Sequence, residues 1–283
     1  MSDKPLKRSL GAFLKMLHRS ARNHKNGLRH YTTMTSFVRM QDSGQVYFSL
    51  LPNSNDGGEY KSNRHYMMCF NFGKEENIAL WSLYGVPHAD SICLTFPHRD
   101  IMEWFDSAKE GGLSFYGLED KRRSALLNDA CPKVSICDVA YYGNGIFTHN
   151  GKNYCLTSDG ITGFEFYKET PLAPYVKKWA WSYEREVRIV LEFDKPVLNS
   201  KGKPYGRIAV DFDEPLQLLR EGRGEIRLGP WCRRSAETVR KKGFSKANVV
   251  SSEFKGLIRF PSPCSVCDAE TRKSCKCKHK NMM

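Results

Sequence analysis

Residues 179–193 read Trp-Ala-Trp-Ser-Tyr-Glu-Arg-Glu-Val-Arg-Ile-Val-Leu-Glu-Phe, an aromatic run feeding a segment with the two-residue alternation of a β-strand. Successive side chains of a strand leave on opposite faces. Glu184, Glu186 and Arg188 therefore fall on one face, and Val187, Ile189 and Leu191 on the other. If the apolar row faces a core, two carboxylates and a guanidinium stand in line on one surface. The bland reading is a solvated charge row in which Arg188 is simply a salt-bridge partner of Glu184 or Glu186.

The rest of the chain predicts many short strands with a few helices between them. Leu6, Leu10, Phe13, Leu14 and Leu17 have the spacing of an amphipathic helix whose remaining surface carries Lys7, Arg8, Lys15 and Arg19. Strands are expected near 28–33, 45–51, 65–72, 91–96, 133–142, 186–193 and 205–212, and helical turns over 34–40, 75–84, 99–109 and 235–242. Residues 160–175 read as mixed. The pattern is α+β, with a mixed, mainly antiparallel β core and peripheral helices, rather than a doubly wound sheet.

The net charge of +13 is concentrated at the ends: residues 1–29 hold +7 and residues 220–283 hold +10, leaving about −4 in the middle. Basic ends around a mildly acidic centre suit a polyanionic partner, and nucleic acid is the partner expected. No apolar run approaches the roughly 20 residues that cross a bilayer, and no secretory signal is visible. The expectation is a cytoplasmic protein with no membrane association, whose ten cysteines are thiols or metal ligands.

Three segments belong together: Arg29-His30-Tyr31-Thr32; Gln45-Val46-Tyr47-Phe48-Ser49 with Asn55-Asp56-Gly57-Gly58-Glu59; and Trp181-Ser182-Tyr183-Glu184-Arg185-Glu186-Val187-Arg188. With Ala79-Leu80-Trp81-Ser82-Leu83-Tyr84-Gly85 between them, the set resembles the bacterial domain-of-unknown-function family 2971 over about residues 28–193. Gly57 departs from the proline common in that family, and the basic C-terminal extension lies beyond the likeness. The order His30, Tyr47, Glu186 is also similar to that of ADP-ribosyltransferases, where a histidine, a tyrosine and a late glutamate grip NAD. Residues 44–49 look like the tyrosine strand of poly-ADP-ribose polymerases. Glu184-Arg185-Glu186 matches the Glu-x-Glu of arginine-modifying toxins, and the late strand is similar to that of the DarT family of DNA-modifying toxins.

These resemblances imply an ADP-ribosyltransferase-type core that uses NAD as substrate. Cleavage of the nicotinamide–ribose bond passes through an oxocarbenium-like centre, so a carboxylate such as Glu186 can stabilise the developing charge. Glu184 would orient or deprotonate the acceptor. Tyr47, or else Tyr84, would stack on nicotinamide, and His30 would bond a ribose hydroxyl or the carboxamide. Tyr31, Thr32, Ser49 and Arg188 complete the cofactor-binding set. His30 and Tyr47 could equally be core residues, and Asn55, Asp56 and Glu59 a loop held by its own side-chain bonds.

Residues 263–283 stand apart. Cys264, Cys267, Cys275, Cys277 and His279 offer zinc ligands within a lysine-rich tail, with a disordered basic tail as the alternative. The expected organisation is a basic N-terminal helix (1–27), an ADP-ribosyltransferase-like domain (28–215), a basic extension (216–262) and the Cys-rich tail. The expected function is NAD-dependent modification of RNA or DNA, by a toxin or antiphage effector that has an antitoxin or regulator protein as partner. The competing class is a non-catalytic nucleic-acid-binding protein. A metal-dependent nuclease built on Asp211, Asp213 and Glu214 ranks below both. No P-loop and no Gly-x-Gly-x-x-Gly fingerprint is present.

Overall fold

The computed structural model describes residues 5–51, 62–110, 114–119, 122–126, 132–156, 171–241 and 243–258. Strand β1 (Leu6–Arg8) and helix α1 (Leu10–Ala21) are followed by β2 (Leu28–Thr33), α2 (Met34–Ser43), β3 (Gln45–Leu50) and β4 (His65–Asn71). Next come α3 (Ile78–Tyr84), β5 (Ser91–Phe96), α4 (His98–Lys109), β6 (Phe115–Glu119), β7 (Arg122–Leu126), β8 (Lys133–Asp138) and β9 (Ala140–Gly143). The chain continues through β10 (Ile146–His149), β11 (Lys152–Leu156), β12 (Val176–Lys178), β13 (Glu186–Glu192) and β14 (Arg207–Asp211). It then forms α5 (Asp213–Arg220), β15 (Glu225–Leu228), α6 (Ala236–Lys241) and β16 (Val249–Ser251). The fold is mixed α+β with mostly antiparallel pairing.

The large sheet runs β16-β15-β5-β2-β4-β3-β14-β6-β7, and β13 lies between β4 and β8. Alternation along β13 is as the sequence predicts: Val187, Ile189 and Leu191 join Phe70, Met68 and Ile136 in the main core. Helices α2, α4 and α5 cover that face with Phe37, Met40, Ile101, Phe105, Leu216 and Leu219. The region past residue 216, set apart by its charge, is part of this sheet, since β15 pairs with β5 and buries Ile226 and Leu228.

The opposite face of β13 is not a surface. Val190 and, across the ladder, Met67 are apolar there, and a second sheet of order β1-β11-β10-β9-β12 packs over them together with Phe13 and Leu17 of α1. The chain changes sheets at Val139, whose N–H donates to the Glu186 carbonyl at 2.9 Å. Glu186 and Arg188 are therefore buried. The basic N-terminal helix starts later than its periodicity suggests, after Leu6–Arg8 has paired in parallel with Tyr154, Cys155 and Leu156. Ser9 caps it by accepting from the Ala12 N–H at 3.3 Å.

β4 is where the large sheet forks. One edge pairs with β13 along its whole length, from Glu186↔Asn71 to Glu192↔His65. The other edge is shared: β2 meets it only at Arg29↔Asn71, while β3 meets it at Ser49↔Met67 and Leu50↔Tyr66. Between those contacts, beside Cys69, the edge has neither neighbour, and the strands on either side separate.

Candidate functional site

A pocket of about 80 Å³ opens at this fork, lined by Arg29, His30, Tyr31, Cys69, Phe70, Asn71, Leu80, Tyr84, Glu184 and Glu186. His30 turns into the gap, and its Nδ1–H donates to the Cys69 carbonyl at 3.0 Å, occupying an acceptor that β3 would otherwise pair. Because a carbonyl only accepts, Nδ1 carries the proton. Burial pushes the imidazole pKa down against that bond, so the ring is neutral and Nε2 is an acceptor. Helix α3 forms the facing wall. Asn77 caps it by accepting from the Ala79 N–H at 2.9 Å, and Trp81 packs edge-on against Tyr31 at 4.8 Å.

The two glutamates reach the pocket by different routes. Glu186 is the first residue of β13, but Glu184 ends a 3-10 turn, Trp179–Glu184, and is not part of the strand. Arg185 between them is left-handed, with φ 42° and ψ 58°, a conformation disfavoured for a residue with a Cβ. Simple alternation therefore does not align Glu184 with Glu186; the Arg185 turn does. Asn71 Nδ2 donates to the Glu184 carbonyl at 2.5 Å and Asn77 Nδ2 to the Tyr183 carbonyl at 2.8 Å, holding the turn against β4 and α3.

Lys177 of β12 lies between the carboxylates, 2.5 Å from Glu184 Oε2 and 2.9 Å from Glu186 Oε2. Arg188 grips Glu186 with two parallel bonds, Nε at 2.9 Å and Nη2 at 3.2 Å, and donates from Nη1 to the Pro174 carbonyl at 2.7 Å. Tyr84 donates to Glu184 Oε1 at 2.6 Å, and the Tyr141 hydroxyl accepts from the Glu186 N–H at 3.0 Å. Two cations thus balance two anions, all with side chains no more than 6% exposed.

The carboxylates are driven apart in acidity. Burial would raise the Glu186 carboxyl, but Arg188 and Lys177 outweigh it and hold it well below the usual range, ionised. Burial raises Glu184, the Glu186 charge raises it further, and Lys177 and Tyr84 do not fully offset this. Burial and the Glu184 charge also push the Tyr84 phenol up, so it stays a donor. Such a split pair suits one permanent anion and one proton carrier.

Of the residues singled out in the sequence, His30, Tyr31, Tyr84, Glu184 and Glu186 share this pocket. Tyr47 and Ser49 do not line it. They lie on β3, paired with Ala209 and Arg207, on the far arm of the fork. Tyr84 is the aromatic hydroxyl that reaches Glu184. Thr32 is buried beside Ile92 and also does not line the pocket, while Arg188 sits behind Glu186 and holds it. The sequence pattern does not single out Lys177, Asn71 or Cys69; the lysine pair 177–178 directly after the apolar stretch 171–176 is the one available signal.

Asp211 accepts from Gln45 Nε2 at 3.0 Å, and Asp213 and Glu214 occupy the exposed first turn of α5, where acids favour the helix dipole. Among the described residues no group of three or more His, Cys, Asp or Glu side chains could hold a metal ion, and none of their helices is long and apolar enough to cross a membrane. Five cysteines, Cys69, Cys93, Cys137, Cys155 and Cys232, are free thiols. Asn55, Asp56, Glu59 and the set Cys264, Cys267, Cys275, Cys277 and His279 lie outside the described residues.

No protein-family model matches the chain, no curated protein matches it, and no solved structure matches it.

Proposed function

We propose that the pocket at the fork takes the nicotinamide–ribose end of NAD and that the chain is an ADP-ribosyltransferase-like enzyme, of the kind its likeness to domain-of-unknown-function family 2971 and to the NAD-gripping His-Tyr-Glu order suggests. One observation carries the reading: His30 from an early strand and Glu186 from a late one line the same pocket, with Tyr84 and a second, more basic carboxylate beside them. Tyr84 takes the aromatic role in place of Tyr47. A benzene-sized ring fills a cavity of about 150 Å³. At about 80 Å³ the pocket admits nicotinamide only as the Leu80–Tyr84 wall moves outward.

In this reading the bond between ribose C1′ and the nicotinamide nitrogen breaks, and its electron pair leaves with nicotinamide. The ionised Glu186 stabilises the positive charge left on the ribose. His30 Nε2 accepts from a ribose hydroxyl. The acceptor's nucleophile bonds to C1′, and its proton passes to Glu184, the carboxylate whose proton affinity burial and the Glu186 charge raise. Nucleic acid is the proposed acceptor because both chain ends are basic, and a cytoplasmic toxin or antiphage effector, held by an antitoxin or regulator protein, is the proposed role.

A second reading has its own observation. Both Glu186 oxygens are already engaged by Arg188 and Lys177, as in a purely structural ion network, which favours a non-catalytic nucleic-acid-binding protein. Incubating the protein with radiolabelled NAD and RNA, DNA or cell lysate separates the two. Label transferred by the wild type and lost in a folded Glu186→Gln variant supports the enzyme. Absence of both transfer and nicotinamide release, with RNA or DNA still bound, supports the binder.

A further inference from the structure

A second and larger pocket, about 500 Å³, lies beside the first, and the same two chain segments contribute to both. Asn71, Glu184 and Glu186 line the first pocket; Phe72 and Arg185, next to them in sequence, line the second. The charged groups differ. No acidic side chain lines the second pocket, and the Arg185 guanidinium, on an exposed residue, has neither an ion-pair nor a hydrogen-bond partner among the described residues. The left-handed turn that brings Glu184 toward Glu186 is also the turn that presents Arg185 to this pocket.

The walls offer flat faces and fixed polar edges. Trp179 is half exposed at 51%, Tyr141 is a buried part of the lining, and the Phe72 ring is backed by His24, stacked 4.1 Å away. His149 is pinned: its Nε2 lies 2.8 Å from Oδ2 of the fully buried Asp138, whose other oxygen is 2.7 Å from His24 Nε2. Asn150 continues that wall in the tight turn to Lys152. A planar cation, an exposed indole face and hydrogen-bonding edges without a carboxylate are what a base carrying a phosphate needs.

We propose that this pocket binds a nucleotide unit, with its base against Trp179 and its phosphate on Arg185. The site stands whether or not the first pocket takes NAD. Its chemistry is shared by a free mononucleotide and by one unit of a single strand, so the test uses adenosine, AMP and a 5′-phosphorylated RNA octamer, each titrated calorimetrically into the full chain.

AMP is expected to saturate one site. Arg185→Gly should weaken AMP at least tenfold while leaving adenosine within about twofold, because glycine accepts the left-handed backbone and removes only the guanidinium. Trp179→Ala should weaken both about tenfold. An octamer that binds more tightly than AMP and responds to both variants identifies a nucleic-acid strand as the source; equal affinity identifies the mononucleotide. No saturable binding of AMP or octamer by the wild type, or affinities unchanged in both folded variants, overturns the proposal.

Discussion

Two buried carboxylate clusters meet helix α3, one through Trp81 and the other through Tyr84, and they are built to different ends. Glu76 accepts four bonds: from Trp81 Nε1 at 2.9 Å, Ser252 Oγ at 2.5 Å, Arg227 Nη1 at 2.7 Å and the Glu253 N–H at 2.7 Å. Burial would raise its pKa, but these donors together lower it. It is a saturated single anion, fastening the C-terminal segment to α3, and it lines neither of the two pockets described. Glu184 and Glu186 instead share one lysine, differ in acidity and face a pocket. Saturation fixes structure, whereas an unequal pair leaves one proton to move.

Breaking each cluster tests that contrast. The largest stability effect is expected for Arg188→Met, which strands Glu186 as a buried anion with Lys177 alone. Urea denaturation should show a loss of about 3–5 kcal/mol. Glu76→Gln should cost about 1.5–3 kcal/mol, the worth of hydrogen bonds to a charged group, because Arg227 keeps Glu225 at 2.9 Å. It should leave unchanged the NAD turnover proposed for the fork, and a matching loss of that turnover would erase the distinction between the clusters.

The pH dependence of stability should have opposite signs at the two sites. A lowered folded pKa at Glu76 means that its contribution is complete above the ordinary carboxylate value, near 4.3, and is lost as pH falls below it. At Glu184 the folded pKa is raised, so the folded state binds the extra proton. Stability from this group is present at acid pH and is lost as pH rises through the window above about 4.3. Denaturation curves from pH 2 to 8 should therefore lose slope above about 4.3 in Glu184→Gln and below about 4.3 in Glu76→Gln. The smallest effect belongs to Arg185→Gly. Relief of the left-handed backbone and the added freedom of glycine in the unfolded chain oppose each other, so stability should stay within about 1 kcal/mol.

The parts legible in the sequence were those governed by local pattern. Alternation places Glu186 and Arg188 opposite Val187 and Ile189, and β2, β5 and α4 lie close to their expected bounds. The β10–β11 hairpin, which the expected strands do not include, carries an equally local signal. Asn144-Gly145 and Asn150-Gly151 each close a two-residue hairpin with positive φ at both positions, the strongest short-range hairpin signal a sequence carries. What could not be read was tertiary. Whether Tyr47 or Tyr84 meets Glu184 depends on which arm of a forked sheet each strand joins. Lys177 reaches both glutamates only because a three-residue strand of the second sheet passes over the first.

The most direct test of the account is nicotinamide release from NAD by purified wild type, Glu186→Gln and Glu76→Gln, with folding of each verified by circular dichroism. The account predicts release by the wild type, undiminished in Glu76→Gln and reduced about 100-fold or more in Glu186→Gln, the scale of a lost electrostatic stabiliser of the transition state. A wild type that releases none, or three proteins that release it equally, would contradict the assignment of the fork pocket as a catalytic site.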